Sequence, residues 1–271
     1  MKKKVIYYYD EINNDFAGTK IEQKPIDNSF NYIRDKNIFW RLCSFVLYYI
    51  IAKPLIFLFN KIWNGSTIKN RKVLKLISKK QGFLLYGNHT NILSDAFQPS
   101  LIKYTKRFYI IVNPDCTSIP GIQNIVMMLG AIPLASTMSS KINFLKCIKK
   151  RIADGHCVTI YPEAHIWPFY TKLRDFSPDA CHYPVKLNVP TFTMTTCYQK
   201  HRGILSFIKR PKTVSYIDGP FFPDSSLPPK EAALKLSEEM KTAMRERLDK
   251  YSNYNYIEYV KVDDPTKVTI L

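Results

Sequence analysis

Hydrophobic and polar positions divide the chain into three unequal parts: a polar start, one dense apolar block, and a long stretch where short apolar runs alternate with amphipathic segments. Residues 1–36 are rich in Asn, Asp and Lys and keep no steady period, which predicts a polar lead-in with little structure of its own. Residues 38–59 read IFWRLCSFVLYYIIAKPLIFLF. Their uninterrupted part, 42–52, is 11 residues long, against the ~20 needed to span a bilayer. Lys53-Pro54 interrupts the run, and proline disfavours helix at the residue before it. The pattern predicts a helix pair over 37–65 with a break between its members. Trp40, Tyr48, Tyr49 and Trp63 lie in or beside it, and such amphipathic rings suit the headgroup level of a membrane. Apolar on all faces, the pair reads first as a membrane-docking hairpin in the interface. A hairpin buried on the core, or a tilted span kinked at Pro54, are the other arrangements the pattern allows.

From residue 66 the period changes. Val73, Leu74 and Ile77 fall at helical spacing in a short basic segment. Residues 83–86, 108–112 and 157–161 are apolar runs of buried-strand length, while 190–198 and 213–217 alternate in strand fashion. Helical patterns lie between them. One runs to Ile102 behind a cap at Asn91 or Ser94; one over 119–129 opens on Pro120; 141–154 and 230–251 are amphipathic. This alternation predicts an α/β single domain over 66–251, with a central mixed sheet flanked by helices on both faces and a tail at 252–271.

Charge narrows the partners. The 40 basic residues against 22 acidic ones give +18, a field that favours anionic lipid, phosphorylated substrates or an acidic carrier. Beyond Lys2-Lys3-Lys4 there is no dense basic tract and no nucleic-acid motif, so anionic membrane lipids are the expected partner and nucleic acid is not. The six cysteines, at 43, 116, 147, 157, 181 and 197, form no C-x-x-C pair. They read as reduced core residues in a cytosolic setting. The start of the chain lacks the apolar centre of a signal peptide.

Chemistry-bearing residues gather where two apolar runs end. The first breaks at Gly87-Asn88 and presents His89, with Asp95 six residues on. The second ends in Tyr161-Pro162-Glu163-Ala164-His165. Strands ending this way predict one site built at a sheet edge. A neutral imidazole with a pKa near ~6.5 takes a proton from an alcohol at physiological pH. A carboxylate on its far nitrogen fixes the tautomer and stabilises the imidazolium. Glu163 holds an acceptor, braces the His89 loop or caps backbone amides; His165 faces a phosphate or packs. There is no G-x-S-x-G elbow and no H-E-x-x-H, so a serine hydrolase and a zincin are not expected.

Taken in order, Asn88-His89…Asp95, Gly130-Ala131-Ile132-Pro133-Leu134, Tyr161-Pro162-Glu163-Ala164 and Val189-Pro190 resemble the ordered blocks of the lysophospholipid and glycerophosphate acyltransferase family, in its bacterial 1-acylglycerol-3-phosphate form. The resemblance implies transfer of a fatty acyl group from an acyl thioester, on coenzyme A or acyl carrier protein, to a hydroxyl of a lysophospholipid. It implies no bound cofactor, no metal, and work at the cytoplasmic face of the cell membrane. His89 is then the general base and Asp95 its orienting partner. Asn88 and Glu163 belong to the substrate side, with His165, Lys141, Lys172 and Arg174 as candidate cations for the acceptor. The departures are specific. Five residues separate His89 from Asp95 where many members have four, and Ser136 and Ile166 stand where arginines often bind the acceptor phosphate. Ala164 replaces a usual glycine. The same residues also fit a membrane-bound acyltransferase-like binding protein with little activity, or an acyl-ester or thioester hydrolase using His89 and Glu163 on water.

Overall fold

The computed structural model describes residues 4–17, 21–62, 65–92 and 94–269. Lys2, Lys3 and Trp63, all used above, lie outside the described residues.

The main sheet has seven strands in the order β2 (Thr67–Lys69), β8 (Lys212–Phe221), β7 (Thr191–Gln199), β3 (Phe83–Gly87), β6 (Cys157–Ile160), β4 (Phe108–Val112) and β5 (Ala131–Pro133). Neighbours run parallel except β7 with β8, so the sheet is mixed, as expected. β3 is central and buried at every residue, which is why its sequence is an apolar run instead of an alternation. Leu84 and Tyr86 point to one face, where α5 (Met138–Ala153), α6 (His182–Leu187) and α7 (Pro229–Tyr251) lay down Phe144, Ile148, Leu236 and Met240. Phe83 and Leu85 point to the other, against Leu74, Ile77 and Ile102.

Across that second face runs the apolar block. It is not a broken pair but one helix, Ile38–Ile62: α1 (Ile38–Phe45), a π turn (Val46–Ala52) and α2 (Lys53–Ile62). The π turn lets the helix pass Pro54, because wider i→i+5 bonding makes room for a residue with no N–H to offer. The helix is inside-out. Its buried residues are Ser44, Tyr48, Lys53 and Asn60, and each bonds the domain. Ser44 Oγ donates to Met128 O at 2.9 Å, and Tyr48 Oη accepts from Phe108 N at 2.9 Å. Lys53 Nζ donates to Tyr104 O at 2.7 Å and to Lys106 O at 3.2 Å, and Asn60 Oδ1 accepts from Ser94 Oγ at 2.7 Å. Its large apolar side chains face outward, with Ile38 79% and Ile62 72% exposed.

The lead-in is also more structured than its composition predicts. β1 (Lys4–Tyr8) pairs in parallel with β9 (Ile257–Lys261) from the tail. Together they close over Trp167, which is fully buried and stacked on Tyr259. Further on, Ile26 exchanges backbone and side-chain hydrogen bonds with Ser136, and Tyr32 packs on Phe144. The anchoring residues Ile6, Phe16, Ile26 and Tyr32 are too widely spaced to make a period, so only tertiary contact reveals them. Two expected helices shrink. The stretch to Ile102 holds turns and a 3-10 segment, Gln98–Leu101, and the 119–129 pattern yields only α4 (Gln123–Met128), after a single-turn α3 (Asp115–Ser118). Gly130 ends it at φ +108, where a Cβ would meet Phe108 O at 2.7 Å.

Candidate active site

Strands β3 and β6 run parallel, so the loops after them emerge at the same end of the sheet. Asn88 continues β3 by side chain: its Oδ1 accepts from Thr196 N at 2.8 Å and its Nδ2 donates to Thr196 O at 3.1 Å. Both polar atoms are thus used to lock the loop to β7, and Asn88 is fully buried. The sequence placed Asn88 on the substrate side; the geometry makes it a positioning residue.

His89 follows. Its Nδ1 lies 3.0 Å from Asp95 Oδ2, which also accepts from Thr90 N and Asn91 N at 2.8 Å each. The carboxylate therefore ties off the turn that carries the imidazole. This is why the stretch after His89 coils around Asp95 instead of starting a helix. Asp95 is 1% exposed and the His89 side chain 18% exposed. With Nδ1 held, Nε2 is the ring nitrogen left for a substrate. Tyr161 stacks on the imidazole at 4.5 Å between centroids and donates from Oη to Asp95 O at 2.6 Å. Gly87 makes room for that ring, since a Cβ there would come within 2.5 Å of it.

Glu163 sits behind this pair at 4% exposure. Oε2 accepts from His89 N at 2.9 Å and from Arg174 Nη2 at 3.2 Å, while Oε1 accepts from Arg174 N at 3.0 Å. Burial raises its carboxyl pKa, and the Arg174 guanidinium and the two N–H donors oppose that rise. Of the roles open to Glu163, its contacts fit the capping of backbone amides, which also braces the His89 loop. Arg174 is 1% exposed. It donates to Glu163, His165 O and Glu11 O, and lies over Trp167, so its charge is met inside the fold. His165 points away toward Asp15, 3.3 Å from its Nδ1 but not aligned for a hydrogen bond. Lys141 is exposed in the first turn of α5, behind β5, three places from β3 in the sheet. The structure therefore joins His89, Asp95, Glu163 and Arg174, keeps Lys141 apart from them, and turns the His165 side chain away while its backbone stays bonded to Glu163 and Arg174.

Backbone amides after His89 and after Glu163 are taken up within the fold. Those of Thr90 and Asn91 bond Asp95; those of Ala164, His165 and Trp167 bond the carbonyls of Tyr161, Glu163 and His89. Sequence reasoning also missed Tyr198, whose hydroxyl donates to Thr90 O at 2.9 Å, and the Asn60–Ser94 bond that ties the apolar helix to this turn. Neither has a local signal. Among the described residues, no group of His, Cys, Asp and Glu is placed to hold a metal. A cavity of about 820 Å³ is lined by Arg107, Arg151 and His156 at the opposite end of the strands from His89.

The histidine after β3, its ring held by one carboxylate and its backbone by another, is a constellation able to carry general acid–base chemistry. Residues 67–196 match the family model described as Acyltransferase. Among solved structures, the chain is similar to the crystal structure of the 1-acyl-sn-glycerophosphate (LPA) acyltransferase PlsC from Thermotoga maritima. The TM-score is 0.50 at 16% identity, over 79% of this chain and 83% of that one, a likeness of fold. No curated protein matches the chain.

Proposed function

We propose that this acyltransferase moves a fatty acyl group from an acyl thioester to a hydroxyl of a glycerophosphate-type lysolipid, with His89 as general base. The observation that carries the reading is the 3.0 Å contact of His89 Nδ1 with buried Asp95, which leaves Nε2 free to take the acceptor's proton. As the proton leaves, the acceptor oxygen attacks the thioester carbonyl, the tetrahedral intermediate collapses with cleavage of the C–S bond, and the His89 imidazolium returns the proton to the departing thiolate. Asp95 holds the ring and offsets its positive charge; Glu163 and Arg174 position the loop beneath it. The donor is acyl-coenzyme A or acyl carrier protein, either of which a chain of +18 attracts.

The inside-out helix supports a location on a membrane, and the cytoplasmic face is the side this reading assigns. A stripe of domain contacts runs along it from Ser44 to Asn60, so over that stretch lipid can surround only the outward side. This favours a monotopic helix lying in the interface, although its 25 residues have the length to span.

The test is purified protein with labelled acyl donors and a panel of lysophospholipids, read by mass spectrometry. His89→Ala should lose roughly 10²–10⁴-fold in transfer while keeping its fold. Wild-type rates in that variant overturn the mechanism. Free fatty acid formed equally with and without acceptor points to hydrolysis, and no product with any acceptor points to a binding protein.

A further inference from the structure

The chain between β7 and β8 has no part in acyl transfer as described. Residues 200–210 read KHRGILSFIKR, an apolar centre between two basic ends. Gly203–Phe207 form a 3-10 turn, opened by Gly203 at φ +62. The fold holds this centre away from the core: Ile204 is 92%, Phe207 73% and Leu205 51% exposed. A single exposed apolar side chain is ordinary, but a contiguous group marks an interaction surface.

Two further observations identify what covers it. The first is charge. A cleft of about 610 Å³ below the turn is lined by Lys61, Lys200, Arg202, Lys212 and Lys250 together with Leu205, and none of the described residues lining it is acidic. The second is continuity. Lys61 belongs to the last turn of α2, whose outward side chains Leu55, Leu58 and Ile62 are 61%, 54% and 72% exposed. The apolar face of the helix thus reaches the same cleft as the apolar turn. The base of the loop is fastened near the active site: Tyr254 Oη donates to Lys209 O at 3.0 Å, and Arg210 lies over Phe169, whose N–H donates to Thr90 O.

We propose that residues 200–210 are a second membrane-docking element. Ile204, Leu205 and Phe207 enter the acyl-chain boundary of an anionic bilayer, while Lys61, Lys200, Arg202, Lys212 and Lys250 hold its phosphate head groups. An uncharged apolar partner gives the cations no role, and a soluble polyanion gives the apolar tip none. An anionic lipid surface uses both. The proposal rests on α1–α2 lying on the membrane. It adds a second point of attachment beside His89, which fixes the roll of the domain on the surface.

The experiment uses the full chain with vesicles of phosphatidylcholine, alone or mixed with phosphatidylglycerol, read by flotation. The variants are I204S/F207S and K200Q/R202Q in the loop, and L42S/F45S in the helix. I204S/F207S should lose roughly tenfold or more in partitioning to mixed vesicles, the size expected when two large apolar side chains no longer bury. K200Q/R202Q should lose most of the preference for mixed over neutral vesicles. The apparent KM for a vesicle-borne lysophospholipid should rise with either loop pair, with kcat unchanged. Loop variants that partition like wild type, while L42S/F45S is released, overturn the loop and leave the helix reading standing. Wild-type protein that ignores both vesicles sinks the membrane reading as a whole. Loss of binding to an acidic carrier protein, with vesicle binding intact, assigns the loop to that protein and overturns the proposal. Vesicle binding is read without turnover, so a failed acyl-transfer assay does not bear on it.

Discussion

Glu163 and its neighbour Ala164 carry the site's residue-scale lessons. The Glu163 carboxylate and the Arg174 guanidinium, 3.2 Å apart, are both buried, so each is tolerable only because the other is there. Glu163→Ala strands a buried cation and frees His89 N. It should cost roughly 3–5 kcal/mol in urea unfolding, with Glu163→Gln/Arg174→Met milder than the single change. Equal losses would mean the pair is not coupled. Ala164 sits at φ +63, the left-handed region where a Cβ is unfavourable by ~1 kcal/mol. Glycine there is expected to raise the melting temperature by a few degrees, since relief of strain outweighs glycine's added chain entropy. A fall in Tm would show that the turn has absorbed the strain. The left-handed turn was foreshadowed by the resemblance, in which glycine is usual at that position; the ion pair was not, because Glu163 and Arg174 are 11 positions apart with no spacing rule to join them.

At the scale of the element, the apolar helix shows how far pattern reading reaches. Its existence, limits and aromatic content are legible in residues 38–62, but its continuity through Pro54 and its polar inner stripe are not. Ser44, Tyr48, Lys53 and Asn60 do not repeat at 3.6 residues, because the π turn inserts an extra residue between Tyr48 and Lys53. Lys53 is the clamp. It is fully buried, bonded to two carbonyls, and ringed by Tyr48, Tyr49 and Tyr104 at 4.7–5.2 Å. Lys53→Met keeps the volume but leaves the carbonyls of Tyr104 and Lys106 unpaired. It should cost about 1–3 kcal/mol and speed trypsin cleavage near Lys61. Unchanged cleavage would mean the helix is held by its ends alone.

For the whole molecule, one source of acid sensitivity lies at the far end of the sheet from His89. Burial pushes the His156 imidazole down to about 4; Arg107, Arg151 and Lys106 add to the shift and Asp154 opposes it. Unfolded, the same group titrates near ~6.5. The neutral ring therefore stabilises the fold fully above that value, and this contribution is lost as pH falls toward about 4. Because the ring is only partly buried, the loss is on the order of 1–2 kcal/mol after solvent screening. His156→Gln should unfold at lower pH than wild type in a circular-dichroism titration; an unmoved midpoint would remove His156 as the cause.

Much of the molecule follows from sequence alone. Periods of two and 3.6 give strands and helices, their alternation gives a mixed α/β sheet, and two apolar runs ending in His89 and Glu163 bring the candidate site residues to one end of it. Those are local properties, written into neighbouring residues. The tertiary structure decided what depends on distant parts of the chain. It made Glu163 a brace for His89, closed β1 and β9 over Trp167, tied Asn60 to Ser94, and turned the apolar face of helix 38–62 outward. The physical reason is that burial and pairing belong to neighbours in space, and these partners are separated by 34 to more than 250 residues of chain.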